Sequence, residues 1–126
     1  MKKLIVLILP FCLYAQDGPI GSWKDYLSYS SASFIAETED NIYCVANGGL
    51  YYIKKTDESI NRISKITGLS DVSIKQIAYS FDLNTIIITY ENCNIDILIN
   101  NEVVNISDVK RKEYAGIKSI NNITIN

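Results

Sequence analysis

Histidine is absent from the 126-residue sequence, which also has only two prolines and six glycines. Without histidine there can be no Ser-His-Asp or Cys-His nucleophile pair and no imidazole metal ligand. A basic excess is missing too, since 12 Lys and Arg stand against 14 Asp and Glu. This balance argues against nucleic-acid binding, which needs a basic surface. The 48% of hydrophobic residues excludes intrinsic disorder.

The first 15 residues have the organisation of a secretion signal peptide. Lys2 and Lys3 form a positively charged start, an unbroken apolar run spans 4–9, and Ala15 is a small residue before the expected cleavage. The apolar run is about half of the ~20 residues that a membrane-spanning helix needs. We therefore expect export with cleavage rather than membrane anchoring, and a mature chain of residues 16–126.

Cysteine is scarce in the mature chain, where only Cys44 and Cys93 remain. Outside the cytoplasm these two residues can form a disulfide, but we expect both to be buried, apolar-like strand residues instead. Two cysteines without histidine are poor metal ligands. We predict no metal and no cofactor.

Short apolar runs rich in Ile, Val and Tyr, each ended by Asn, Gly, Asp or Ser, predict an all-β chain. The runs of the first set are 33–38, 42–46, 50–54 and 60–66. Those of the second set are 74–80, 85–91, 95–99 and 103–107. A ninth run at 117–125 begins a third set.

The two sets form an internal repeat. Ile35 and Ile77 lie in equivalent first strands, 42 positions apart, and Ile123 follows Ile77 by 46 positions. A period of about 40 to 45 residues with four strands per unit is the spacing of β-propeller blades. We therefore predict a partial β-propeller of about two four-stranded antiparallel blades, at about 33–66 and 74–107, plus the first strand of a third blade at about 117–125.

The run from Ile86 to Tyr90 is apolar on both faces, as expected for a strand whose sheet is covered on both sides. A blade is covered in this way by its two neighbours, whereas a half-solvated sheet would show polar alternation. A small β-sandwich of eight strands is the alternative. Closure of a propeller takes at least four blades, so we expect the sequence to be the N-terminal piece of a longer protein.

Four ordered blocks of residues run from position 21 to near the C-terminus. Their central segments are Gly21-Ser22-Trp23-Lys24-Asp25-Tyr26, Gly68-Leu69-Ser70-Asp71, Ile88-Thr89-Tyr90-Glu91-Asn92 and Asp108-Val109-Lys110-Arg111-Lys112. Together the blocks resemble the start of the PorZ-type propeller proteins of Bacteroidetes. The resemblance implies a non-enzymatic component of the type IX secretion system, located in the periplasm or at the outer-membrane surface.

The same resemblance implies partners. PorZ-type proteins work with the type IX sortase and other secretion components, and the sortase attaches cargo to anionic lipopolysaccharide. The family has two propellers and a C-terminal β-sandwich, of which this sequence matches only the start, and it offers no catalytic residues to carry over. The alternative function is the periplasmic ligand-sensing propeller of a hybrid two-component regulator. A propeller enzyme such as a polysaccharide lyase is disfavoured because histidine is missing.

Two groups of residues are candidates for ligand contact. The basic cluster Lys110, Arg111 and Lys112 could contact anionic lipopolysaccharide or an acidic patch of a partner, although a solvated inter-blade loop is the simpler interpretation. The aromatic group Trp23, Tyr26 and Tyr29 could form a sugar-stacking platform, although packing of the N-terminal segment is simpler.

Acidic residues offer weaker candidates. Glu37, Glu39 and Asp40 fall at one predicted turn, and Asp57 and Glu58 fall at another. Glycosidases need two carboxylates that face each other across the scissile bond. Acids at turns more simply solvate a loop, so we predict no catalytic role for them.

Overall fold

The computed structural model of the protein describes residues 30–125, and the predicted signal at 1–15 lies outside this part. Eight strands form two antiparallel sheets, in each of which consecutive strands are hydrogen-bonded neighbours. Sheet 1 contains β1 (Ala32–Glu37), β2 (Asn41–Ala46), β3 (Gly49–Lys54) and β4 (Ile60–Ile63). Sheet 2 contains β5 (Ile74–Ser80), β6 (Thr85–Tyr90), β7 (Ile95–Ile99) and β8 (Glu102–Ile106). The fold is all-β, with two blades of an unclosed propeller.

Asparagine and glycine set the tight turns between strands. Both residues of the β2–β3 turn have positive φ, 48° at Asn47 and 75° at Gly48, and so do Asn100 and Asn101 of the β7–β8 turn, at 48° and 66°. Two consecutive residues with positive φ are typical of hairpin turns that match the strand twist, and Asn and Gly tolerate this conformation best. Seven of the eight strands begin and end within one residue of the bounds predicted from the sequence.

Strand β4 is the exception, because the sequence predicts it to continue to Ile66 whereas it ends at Ile63. The Thr67 hydroxyl accepts a hydrogen bond from the backbone amide of Ser64 at 2.8 Å, and a 3-10 turn forms over Lys65–Thr67. A side chain that satisfies the backbone locally competes with the ladder of a sheet. The prediction was wrong here, and Ile66 is left 53% exposed.

The main core lies between the two sheets. Alternate side chains of each sheet face the other sheet, and β1 lies beside β5. The buried members are Ala36, Tyr43, Val45 and Leu50 of sheet 1, Ile74, Ile77, Ile86, Ile88, Tyr90 and Leu98 of sheet 2, and Leu69 of the connection. Face-to-face stacking with the first strands side by side is the arrangement that the repeat predicts for neighbouring blades.

The second face of each sheet is also apolar. In sheet 2, Ile87 pairs with Ile97 and Ile97 with Val104, so the three side chains share the face turned away from sheet 1. Val104 is 51% exposed there, and Ile35 on the outer face of sheet 1 is 65% exposed. Among residues 30–125, each sheet is thus covered fully on one face only.

A single helical turn, α1 (Asp108–Arg111), follows β8 and was not predicted from the sequence. The predicted ninth strand at 117–125 has no regular secondary structure and pairs with no strand among residues 30–125. It does lie against β5, since Lys75 Nζ donates to Ser119 Oγ at 2.6 Å. That is the side of sheet 2 on which a third blade would begin. The third blade itself stays a prediction, because no strand forms within 117–125.

None of the helical segments within residues 30–125 has the length and hydrophobicity needed to cross a membrane.

Candidate functional site

The strands of both sheets run between two ends of the molecule. The turns 38–40, 55–59, 81–84 and 100–101 form one end, which we call the hairpin end. The connections 47–48, 64–73, 91–94 and 107–119 form the other, which we call the loop end. The predicted basic cluster lies at the loop end, and the predicted acidic groups lie at the hairpin end.

A buried carboxylate organises the loop end. Asp96 of β7 is fully buried, and its Oδ2 accepts hydrogen bonds from the Tyr90 hydroxyl at 2.6 Å and from the backbone amide of Ser70 at 2.8 Å. Its Oδ1 accepts a bond from Asn105 Nδ2 at 2.8 Å. A buried carboxylate needs several such donors to offset the loss of hydration. Asp96 thereby fixes the connection between the two sheets to sheet 2.

The phenol of Tyr90 is correspondingly hard to ionise. Burial of the ring, followed by donation of its hydroxyl to the neighbouring Asp96, raises the pKa of Tyr90 far above its ordinary value. The hydroxyl therefore remains a hydrogen-bond donor at any physiological pH.

The second carboxylate of the loop end connects the inter-sheet loop to α1. Asp71 Oδ2 accepts hydrogen bonds from Asn92 Nδ2 and Lys110 Nζ, both at 2.6 Å, and a longer one from Asn94 Nδ2 at 3.4 Å. The Asp71 side chain is 12% exposed. The bonds from Lys110 and Asn92 hold the pKa of Asp71 well below its ordinary range, so it stays ionised.

Of the predicted basic cluster, Lys110 is thus committed to an internal ion pair. Arg111 and Lys112 are exposed, and neither side chain has a hydrogen bond or ion pair with residues 30–125. They border an open cleft of about 680 Å³ that Glu113, Tyr114 and Lys118 also line. The position leaves two cations available for an anionic ligand.

Lys118 holds the cleft in shape. Its ammonium donates to the carbonyl oxygens of Lys110 at 2.7 Å, Lys112 at 2.6 Å and Val109 at 3.2 Å, which are the carbonyls at the end of α1. A cation is favourable at this end of a helical turn because the carbonyl dipoles point toward it. The backbone that carries Arg111 and Lys112 is therefore anchored on both sides, by Asp71 and by Lys118.

The predicted acidic groups lie at the hairpin end as solvated turns. Glu37 pairs with Lys55 at 2.7 Å on the surface, and this neighbour lowers the pKa of Glu37. Asp57 accepts a bond from the backbone amide of Ser59 at 3.0 Å, and its hydrogen bonds to Ser59 lower the pKa of Asp57. These contacts stabilise the two turns.

The remaining predicted residues have different outcomes. Trp23, Tyr26 and Tyr29 lie outside the described residues, so the aromatic platform stays a prediction. Cys44 and Cys93 are both buried, as predicted, and form no disulfide, although Cys93 lies in the β6–β7 turn. No three His, Cys, Asp or Glu side chains between 30 and 125 are close enough together to hold a metal ion.

Sequence reasoning missed the two residues that organise the loop end. Both aspartates belong to the blocks that carry the family resemblance, but the sequence assigns a structural role to neither. The available signal was an aspartate between Ile95 and Ile97, in a strand otherwise made of Ile and Leu. An acid in such a strand is rarely buried unless it is paired or multiply hydrogen-bonded.

Comparison with known proteins agrees with this architecture. The model of the PorZ N-terminal β-propeller domain matches residues 42–126. Among solved structures, PorZ of Porphyromonas gingivalis is similar with a TM-score of 0.65 and 36% sequence identity, and it is described as an essential bacterial surface component of the type-IX secretion system. No curated protein matches the chain.

The structural match covers 68% of this chain and 12% of the P. gingivalis chain, so this chain spans about an eighth of that protein. The family model covers seven of the eight strands of the two stacked sheets, since its match begins within β2 and leaves out β1. The chain therefore belongs to the PorZ N-terminal β-propeller family, a family of type IX secretion-system components.

Proposed function

We propose that the chain is the N-terminal interaction module of an exported, non-enzymatic component of type IX secretion, which works in the periplasm or at the outer-membrane surface. The match of the family model over residues 42–126 is the observation that carries this proposal. The description of the P. gingivalis relative as a surface component supports the location. The sortase of the system and its other secretion components are the proposed partners.

The proposed contact with anionic lipopolysaccharide uses Arg111 and Lys112. Both are exposed at the loop end, beside a cleft whose backbone Lys110 and Lys118 anchor. Guanidinium and ammonium groups pair well with phosphate, and a preformed backbone lowers the entropy lost on binding.

The role in secretion is tested by disrupting the gene in the bacterium that produces the protein. We expect type IX cargo to accumulate in the periplasm and to be depleted from the medium, and the intact gene to restore secretion. Exposure of the protein to protease added to whole cells measures its location. Normal cargo secretion in the disrupted strain would refute the proposed function.

The lipopolysaccharide contact is tested with the double substitution Arg111→Ser and Lys112→Ser in the purified protein. Exposed ion pairs contribute up to about 1 kcal/mol each, so we expect binding to immobilised anionic lipopolysaccharide to weaken about tenfold. The matched control removes two other exposed cations, with Lys54→Ser and Lys65→Ser. Equal effects of the two double variants would show that only net charge matters, and the cleft would then have no specific role.

A further inference from the structure

The hairpin end presents a large aromatic side chain to solvent. Phe81, in the β5–β6 turn, is 80% exposed. Its ring is nevertheless held in place, because it packs edge-to-face on Tyr79 with 4.8 Å between ring centroids. Tyr79 is itself fixed, since its hydroxyl donates to Asn84 Oδ1 at 2.7 Å and its ring packs against the core. An aromatic surface that is exposed and preorganised is a feature of protein-binding sites.

Phe81 and Tyr79 form one wall of a cleft between the tips of the two sheets. The opposite side is lined by Glu37 at the end of β1, Glu39 of the β1–β2 turn and Lys55, and the cleft has a volume of about 610 Å³. The Lys55 ammonium is occupied by Glu37 and by the carbonyl oxygen of Thr38, both at 2.7 Å, whereas the Glu39 carboxylate makes no ion pair with residues 30–125. The cleft thus combines aromatic rings and an available carboxylate, which are the groups that bind a cationic side chain.

The surface of the hairpin end is negatively charged, like Glu39 in the cleft. The turns and strand ends of the hairpin end contain seven acidic residues and two basic ones: Glu37, Glu39, Asp40, Asp57, Glu58, Asp82 and Glu102 against Lys54 and Lys55. The loop end has no comparable imbalance, with four acidic and five basic residues: Asp71, Glu91, Asp108 and Glu113 against Lys65, Lys110, Arg111, Lys112 and Lys118. Acidic charge is therefore in excess at the hairpin end, where the cleft lies, and this charge attracts a basic partner.

We infer that the cleft lined by Phe81, Tyr79 and Glu39 is a docking site for a basic segment of a partner protein. An arginine or lysine side chain of that segment lies against the aromatic rings and pairs with Glu39. The acidic turns around the cleft steer the basic segment to it. Both walls come from the two described sheets, so the site depends neither on further blades nor on the proposed secretion role.

Binding of a fluorescein-labelled nona-arginine peptide, followed by fluorescence anisotropy, tests this inference on the purified protein. We expect Phe81→Ser and Glu39→Gln each to weaken binding about threefold to fivefold, the range for an exposed cation–π contact or ion pair. Binding should also weaken when salt is raised from about 0.05 M to about 0.5 M, because the attraction is electrostatic. A nona-glutamate peptide should not bind.

Two matched variants separate the cleft from a diffuse acidic surface. Glu58→Gln removes one carboxylate from the same end outside the cleft, and Leu83→Ser removes an exposed apolar side chain from the same turn as Phe81. Both should change affinity less than about twofold. Equal losses from Glu39→Gln and Glu58→Gln, with Phe81→Ser unchanged, would overturn the inference, and so would no binding of nona-arginine.

Phe81→Leu provides a readout that does not depend on a change in folding. Leucine keeps the apolar bulk but has no aromatic face, so it should lose most of the affinity that Phe81→Ser loses. Phe81→Trp should retain or strengthen binding, since indole is the best aromatic partner for a cation. Full affinity in Phe81→Leu would show that no ring–cation contact exists and would refute the site.

Discussion

The carboxylate of Asp96 and the hydroxyl of Tyr90 form a buried hydrogen bond of 2.6 Å on the core face of sheet 2. The same carboxylate oxygen accepts the backbone amide of Ser70 at 2.8 Å, so a pair within sheet 2 also holds the loop that arrives from sheet 1. The loop that connects the two blades is therefore fixed to sheet 2 by a polar bond, in addition to the apolar side chains that pack between the blades. Asp71, next to Ser70 in this loop, pairs with Lys110 and so helps to position α1, and with it Arg111 and Lys112.

The substitution Tyr90→Phe should destabilise the protein by about 1–3 kcal/mol, because it leaves a buried carboxylate without one of its donors. Urea denaturation at neutral pH measures the change. The matched control is Tyr114→Phe, which removes the hydroxyl of a tyrosine that is 72% exposed and should have little effect. Equal stability of the two variants would contradict the structural role of the bond.

The raised pKa of Tyr90 also predicts a pH dependence. A raised pKa in the folded state gives stability that is complete below the unfolded value of about 10 and is lost as pH rises above it. The wild-type protein should therefore lose more stability than Tyr90→Phe between about pH 9 and about pH 11. If the free energy of unfolding fell equally with pH in the two proteins, the hydroxyl of Tyr90 would not be the cause of the loss.

The substitution Asp71→Asn should cost about 1–2 kcal/mol at neutral pH, because it removes a charged partner of Lys110. The pKa of Asp71 is lowered in the folded protein, so its contribution is present above the unfolded value of about 4 and is lost as pH falls further. Stability below about pH 4 should therefore fall less steeply in Asp71→Asn than in the wild type. Asp82→Asn, in an exposed turn, is the matched control and should change the free energy of unfolding little at neutral pH.

The substitution Gly48→Ala should destabilise the protein by about 1–3 kcal/mol. Gly48 has φ of 75°, and an added Cβ would lie 3.1 Å from the Cα of Ser73, a backbone atom of the inter-sheet loop. Gly116→Ala is the control, since its Cβ would meet only the Tyr114 ring, at 3.4 Å. Thermal unfolding compares the two variants, and a Tm for Gly48→Ala that matches the control would show that the loop adapts at no cost.

Cys44 and Cys93 should remain thiols in a protein produced without residues 1–15, which contain the third cysteine, Cys12. They are 5% and 2% exposed, so both should react slowly with a thiol reagent in the native protein and rapidly after unfolding in denaturant. The count of reactive thiols in denaturant, with and without prior reduction, measures this directly. A need for reduction before either thiol reacts would reveal a disulfide.

The strands and turns could be predicted because their causes are local. Runs of Ile, Val and Tyr favour strands, and Asn47-Gly48 and Asn100-Asn101 suit the positive φ that tight hairpins need. The end of β4 was not predicted, because it is decided by one hydrogen bond that the backbone amide of Ser64 donates to the Thr67 hydroxyl. The helical turn α1 escaped detection for a related reason, since four residues are too short to carry a periodic pattern.

The candidate sites were also only partly predictable from the sequence. The basic cluster was visible as three consecutive cations, but only the structure shows that Lys110 is paired with Asp71 and that Arg111 and Lys112 are available. Glu39, Tyr79 and Phe81 are separated by about 40 positions between the first and the last of them, and no local pattern links them. Their cleft exists because two hairpin tips of different blades lie side by side.

The sequence by itself determined the repeat, the strand positions and the all-β class, because backbone propensity and hydrophobic period act over a few residues. Tertiary structure alone decided which polar groups are buried, which cations are free and which aromatic rings meet the acidic turns. Those outcomes depend on how one sheet stacks on the other, because the stacking determines which residues far apart in the chain come into contact.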